Sequence, residues 1–232
     1  MIGNWETTLP GARESWVAGA AALSFIAGFG VEQAVKRIPR RLAQDGSLPE
    51  GSGRLERWYR LLPFLCGALA ALAAWRFGPG LPVLSVLPFL WMLLALVFID
   101  LETYLLPDML TLPLLWGGLL ANSWGLITDL HAAIWGAAGG YLLLWGVYWL
   151  YRFLARREGI GRGDFKLLAA LGAWMGWESL PLILLGASLA GVVVGGIWLR
   201  RGGHSRHTPI PFGPFLAVAG YGVMLWGKGG IP

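Results

Sequence analysis

The feature that most limits this chain is its alternation of long apolar runs with short basic clusters. A helix needs ~20 apolar residues to cross a hydrocarbon core of ~30 Å. Runs at about 16–35, 61–77, 82–100, 110–127, 131–153, 165–176, 178–199 and 210–228 reach or approach that length. Only 13% of the 232 residues are charged, whereas a soluble domain carries about 25%. The expected fold class is therefore all-α: a polytopic membrane protein of about eight transmembrane helices, organised as one integral membrane domain over 1–232. The run 165–176 is the shortest. A dozen residues rise only ~18 Å, so such a helix crosses only if protein or a water-filled cavity covers its ends.

Charge placement gives the expected topology. Lys36, Arg37, Arg40, Arg41, Arg54, Arg57 and Arg60 fall in the stretch 36–60. Arg152, Arg156, Arg157, Arg162 and Lys166 fall in 152–166, and Arg200, Arg201 and Arg206 in 200–209. Only Arg13, Arg76 and Lys228 lie elsewhere. With the N-terminus outside and every run crossing, all three clusters face one side, which the positive-inside rule makes cytoplasmic. If 165–176 did not cross, the third cluster would face outward. The net charge of +5 is thus a topology signal, and no nucleic-acid partner is expected. The first run follows Arg13 flanked by Glu6 and Glu14. A signal peptide calls for a basic start, so this run is read as a retained helix. The stretch 36–60 is read as a short basic cytoplasmic loop. Its middle, Asp45 to Gly53, is turn-rich, and Arg54 to Arg60 suits a short interfacial helix carrying Trp58 and Tyr59.

Two acids stand out against this background. Asp164 sits in Gly161-Arg162-Gly163-Asp164-Phe165-Lys166, between two apolar runs. Glycines permit close backbone approach, and an acid beside the membrane core is a functional candidate by default. The plainer reading of Asp164 is an N-cap. Asp100 ends the third run and is harder to explain, because an acid is disfavoured at a helix C-terminus. Two crossings separate the two aspartates, so both return to the same face. Asp108 follows Pro107 and precedes an apolar run, a context that suits the N-cap of the fourth helix. Glu102 is expected at the interface or in solvent.

Paired carboxylates suggest aspartyl proteolysis. Two neighbouring acids do not both ionise cheaply, so one stays protonated. The ionised acid takes a proton from water, and the protonated acid donates to the scissile carbonyl oxygen. No metal is required. The lone Cys66 and the scattered His131, His204 and His207 supply no metal site.

The segments Ile99-Asp100, Leu105-Leu106-Pro107-Asp108, Thr111-Leu112-Pro113 and Gly161 to Lys166 resemble the signature motifs of bacterial type IV prepilin peptidases, aspartic proteases of the Gly-x-Gly-Asp type. Pro209 to Phe215 resembles the start of that family's last helix, and Gly28 to Pro39 its N-terminal segment more loosely. The resemblance implies an eight-helix enzyme of the bacterial cytoplasmic (inner) membrane, with its active site facing the cytoplasm. Asp100 and Asp164 would be the catalytic pair. Gly161, Gly163, Lys166, Pro107 and Asp108 would support the site or the substrate. The implied partners are precursors of type IV pilins or of type II secretion pseudopilins, together with membrane lipid. Many members also methylate the new N-terminus with S-adenosylmethionine. This chain departs from the family where that second activity is associated. The stretch 36–60 lacks the family's two zinc-binding Cys-x-x-Cys pairs. Trp58-Tyr59-Arg60-Leu61-Leu62-Pro63 replaces Arg-Tyr-Pro-x-x-Glu, and Glu32 stands where the family has asparagine. S-adenosylmethionine is therefore expected only if methylation is retained.

Two rivals remain open at this point. A proton-coupled transporter would use Asp100 and Asp164 as a relay, although transporters place their sites near the midplane between repeats. A structural subunit would use the acids as caps. Ala187, Ser188, Gly191, Gly195 and Gly196 do suit small-residue helix contacts, but this leaves Asp100 without a role.

Overall fold

The computed structural model of the chain describes residues 11–44, 55–155, 161–200 and 211–226. Among them all regular structure is helical. Helix α1 covers Ala12–Gln44, α2 Glu56–Tyr59, α3 Leu62–Phe77, α4 Leu81–Thr103 and α5 Asp108–Ser123. Helix α6 covers Leu130–Ala155, α7 Arg162–Met175, α8 Leu180–Arg200 and α9 Gly213–Trp226, with a single 3₁₀ turn, Trp177–Ser179, before α8. Four segments are long and apolar enough to cross a membrane: Arg13–Arg41, Leu81–Thr103, Leu130–Leu154 and Trp177–Trp198. Leu62–Phe77 and Gly213–Trp226 are apolar but shorter.

The first helix does not stop at 35. It continues through Pro39 to Gln44, so the basic stretch Lys36 to Arg41 is helical and not loop. Val31, Val35 and Ile38 recur at helical spacing and are buried with Tyr59, Leu62, Cys66 and Ile99. Packing of that stripe outweighs the one backbone hydrogen bond that Pro39 removes. A short helix does form at Glu56–Tyr59. Trp58 is exposed on it, whereas Tyr59 is buried. The turn-rich middle, Asp45 to Gly53, lies outside the described residues, as do Arg156, Arg157, Arg201, Arg206, His204 and His207.

Helix α7 is the hub of the second half. It packs against α5, α6 and α9, and every residue from Phe165 to Met175 except Lys166 is buried. A helix of 14 residues is only ~21 Å long. Protein surrounds it along its length, which is the condition the sequence set for so short an apolar helix.

Backbone contact explains how α7 fits. A Cβ on Gly136 would collide with the backbone of Gly172, and one on Gly140 would lie 2.7 Å from the Leu168 carbonyl oxygen. The glycines that bring helices together are thus on α6 and α7. The stripe expected on α8 is looser: Gly191 has Phe215 no nearer than 3.7 Å, and Gly196 meets nothing.

The far end of α7 is pinned by polar groups. Asn122 Nδ2 donates to the carbonyls of Ala173 (2.8 Å) and Trp174 (3.0 Å). Its Oδ1 accepts from the N–H groups of Ile127 (3.1 Å) and Thr128 (2.9 Å). One buried side chain thereby closes α5, satisfies the last carbonyls of α7 and shapes the turn before α6. Trp174 Nε1 donates to the Leu114 carbonyl at 2.8 Å.

Replacing Gly136 by valine should lower the thermal unfolding temperature in detergent, with a destabilisation of about 1–3 kcal/mol. Gly196→Val, whose Cβ meets nothing, should leave it nearly unchanged. Equal effects of the two substitutions would contradict close packing of α6 on α7.

Candidate active site

Asp100 and Asp164 are both buried, at 4% and 6% exposure. They come from opposite ends of their helices. Asp100 lies in the last turn of α4, and Asp164 in the first turn of α7. Leu106 lies against both Gly163, which precedes Asp164, and Gly213, which touches Asp100, so the two carboxylates share one end of the bundle.

Each carboxylate lies against a glycine at a helix start. Asp100 Oδ2 accepts the N–H of Gly213 at 3.1 Å. Gly213 is the first residue of α9, and its N–H is one of the donors a helix start leaves without an intrahelical acceptor. The objection to an acid at the end of α4 is answered by the positive end of α9. A Cβ on Gly213 would lie 2.5 Å from Asp100 Oδ2, so glycine leaves the carboxylate room to sit against the start of α9. The Asp164 carboxylate lies over Gly161, where a Cβ would be 3.2 Å from its Oδ2, and Gly161 is the N-cap of α7. Asp164 is therefore not the cap. It sits at the third helical position and reaches back to the cap residue, as the acid of a capping box does.

The connection between α4 and α5 draws these pieces together. Thr103 Oγ1 donates to the Ile99 carbonyl (2.8 Å) and accepts the Leu105 N–H (3.2 Å). Tyr104 ends α4 in the left-handed region, with φ 57°, and its N–H bonds to the Asp100 carbonyl at 2.8 Å. It is the only non-glycine residue with positive φ among the described residues, a conformation that costs energy and is frequent at functional sites. Leu106 then packs under both glycines. A Cβ on Gly163 would lie 2.7 Å from Leu106 Cβ, and one on Gly213 would lie 3.2 Å from Leu106 Cδ1.

Pro107, not Asp108, is the N-cap of α5. Asp108 is the first helical residue, and its side chain turns to Lys166 on α7, with Nζ 2.5 Å from Oδ1. Gly161 and Gly163 thus flank Asp164, while Pro107, Asp108 and Lys166 join the start of α5 to the start of α7. Glu102 lies on the other side of α4, half-buried in a small cavity with Lys36, Arg40, Glu56 and Tyr59. The contact between Gly213 and Asp100 was not derivable from the sequence. The signal available was the segment Pro211-Phe212-Gly213-Pro214, a glycine at a helix start flanked by prolines. Leu106 and Tyr104 carry no such signal.

Membrane-length helices around two buried carboxylates at one end of the bundle define a class: helical membrane proteins with an acidic site. Residues 87–196 match the type IV leader peptidase family, and the relatives that the chain resembles carry prepilin leader peptidase names. The chain is 48% identical over 186 residues to a prepilin leader peptidase/N-methyltransferase of Stutzerimonas stutzeri, covering 80% of this chain and 64% of that protein. It is 52% identical over 170 residues to one of Aeromonas hydrophila, covering 73% and 58%. Against one of Pseudomonas aeruginosa it is 46% identical over 186 residues, covering 80% and 64%. The chain therefore spans less than two thirds of the length of these curated relatives. No solved structure matches it.

The Lys166–Asp108 pair is partly solvent-exposed, and exposed pairs are worth at most ~1 kcal/mol. Asp108→Asn should therefore shift unfolding in detergent by less than about 1 kcal/mol. Gly213→Val should destabilise clearly, because it thrusts carbon against the Asp100 carboxylate. A larger loss for Asp108→Asn than for Gly213→Val would reverse this ranking.

Proposed function

We propose that this protein is a membrane aspartic endopeptidase that removes N-terminal leader peptides from type IV prepilins or type II secretion pseudopilins. The observation that carries the reading is two buried aspartates at one end of the bundle, Asp100 held by the start of α9 and Asp164 set against the cap residue of α7. The match of 87–196 to the leader peptidase family and the names of the relatives support it.

Asp100 and Asp164 form the catalytic pair. Close approach of two carboxylates in a desolvated site favours holding one proton between them. The ionised acid takes a proton from water, and the resulting oxygen attacks the scissile carbonyl carbon. The other acid donates its proton to the carbonyl oxygen. Gly161 and Gly213 orient the two carboxylates, and Lys166 and Asp108 tie the start of α7 to the start of α5. Both acids lie at helix ends, at the margin of the apolar bundle and not at its middle. A relay in a proton-coupled transporter is favoured by no observation, and its sites belong near the midplane.

The proposed setting is the bacterial inner membrane, with eight crossings, the N-terminus outside and the acidic pair facing the cytoplasm. The helical basic end of α1, Lys36 to Arg41, would rest on anionic lipid at about 1 kcal/mol per basic residue. No nucleic acid is involved and no metal is needed for cleavage. The relatives' names include N-methyltransferase. The departures at Glu32 and 58–63 make methyl transfer with S-adenosylmethionine a separate question. One experiment reads both: purified protein is incubated with a prepilin and S-adenosylmethionine, and the product is weighed by mass spectrometry.

Asp100→Asn and Asp164→Asn should each reduce cleavage to background while the protein remains inserted and folded. Asp108→Asn should keep substantial activity. Robust cleavage by either of the first two variants would end the assignment of the pair.

Reporter fusions after Arg57, Arg157 and Arg201 should all report cytoplasm. An outward report after Arg201 alone would make α7 re-entrant and remove one crossing.

A further inference from the structure

Helices α6 and α7 enclose a cavity of about 430 Å³ at the end of the bundle that carries Asp164. Its size is that of a small-molecule site. Tyr141, Trp145, Tyr148 and Trp149 of α6 form one wall. Arg152 and Arg162 supply cationic groups around it, and Lys166, already paired with Asp108, lies at its edge. Tyr141 and Tyr148 stand edge-on to Phe165, at 6.0 and 5.7 Å between ring centroids, which fixes this wall beside the residue that follows Asp164. The Arg152 guanidinium donates to the Tyr148 hydroxyl at 2.8 Å and lies 5.8 Å from the Trp149 ring. These contacts hold the arginine in one place. A second, more open cavity shares Trp149 and Arg152 and runs on along Phe153 and Leu154. Those two residues are among the most exposed large hydrophobics of the chain.

We propose that this pocket binds the phosphate head group of an anionic phospholipid. Three observations converge on a lipid in preference to other anions. The cations are arginines on two helices of a membrane-length bundle, and basic pockets between such helices hold anionic head groups. Trp145, Trp149 and the tyrosines are the amphipathic rings that settle at head-group level. The cationic end opens directly onto the exposed apolar surface of Phe153 and Leu154, where acyl chains lie. A free anion or an acidic peptide has no use for that apolar continuation. The site goes beyond the peptidase reading and does not depend on it. Its position against Phe165 and Lys166 would let lipid occupancy set the rigidity of the turn that bears Asp164.

The test is lipid binding by native mass spectrometry on the full chain in neutral detergent. Phosphatidylglycerol, phosphatidylcholine and inorganic phosphate are titrated separately. Phosphatidylglycerol should fill one saturable site, and the other two should bind at least several-fold more weakly. Arg152→Gln/Arg162→Gln should weaken phosphatidylglycerol binding about tenfold or more. Arg152→Lys/Arg162→Lys keeps both charges and should retain most of it. Arg37→Gln/Arg41→Gln, on the basic end of α1, should leave the site occupied. Unchanged binding by the glutamine pair would overturn the proposal, as would an equal loss in the α1 variant. Loss as complete in the lysine pair would reject recognition by charge. Equal binding of inorganic phosphate would make this a free-phosphate site, and displacement of the lipid by an acidic leader peptide would make it a peptide site. Cleavage is not read in this assay, so its outcome is independent of the peptidase reading.

Discussion

Two carboxylates withdrawn from water at one end of a helical bundle set the terms for the structure around them. A buried ionised acid costs several kcal/mol unless its oxygens find donors. The apolar helices offer none from side chains, so backbone does the work. The start of α9 gives its N–H to Asp100, and the cap residue of α7 lies against the Asp164 carboxylate. Gly213 comes closer to its carboxylate than a Cβ allows, and Gly161 leaves little room for one. The α4–α5 connection is bent through the positive φ of Tyr104 so that Leu106 can pack between Gly163 and Gly213. The pieces depend on one another: withdraw α9 and Asp100 is left buried without its donor.

The same demand explains why so short a helix lies at the centre. Asp164 has to sit at a helix start that is not exposed, and α7 achieves this by being enclosed. Gly136 and Gly140 let α6 press against its backbone. At its other end Asn122 takes up two carbonyls that would otherwise be buried without partners. These contacts lie more than a dozen ångströms along the helix from the acid, yet they fix the rod on which it stands. In the proposed peptidase such a rod supplies preorganisation, since proton transfer tolerates little displacement of either carboxylate.

Charge is arranged around this acidic pair and not only within it. Lys166 faces Asp108, Arg152 and Arg162 border the aromatic cavity on α6, and Lys36 pairs with Glu32 at 2.6 Å on α1. Basic residues thus gather at the end of the bundle where the acids are. That distribution suits a site that works where lipid head groups, water and a peptide leader meet.

The sequence by itself determined that the chain is helical, that it belongs with membrane proteins, and that Asp100 and Asp164 are its exceptional acids. Hydropathy, motif spacing and the cost of acid at a helix C-terminus are local properties, readable along one dimension. Helix extents were less legible. The first apolar run ends at about 35, where the basic cluster begins, but the buried face of Val31, Val35 and Ile38 carries the helix to Gln44. Asp164 and Asp108 resembled caps, because the sequence does not say which residue turns out of the helix first. The structure gives those places to Gly161 and Pro107. The donor to Asp100 lies 113 residues away, and the wedge of Leu106 is one leucine among many. Only tertiary structure could decide these, because a hydrogen bond to a buried carboxylate and a glycine-wide approach of two backbones are set by which helices meet, and no local pattern in the chain encodes that meeting.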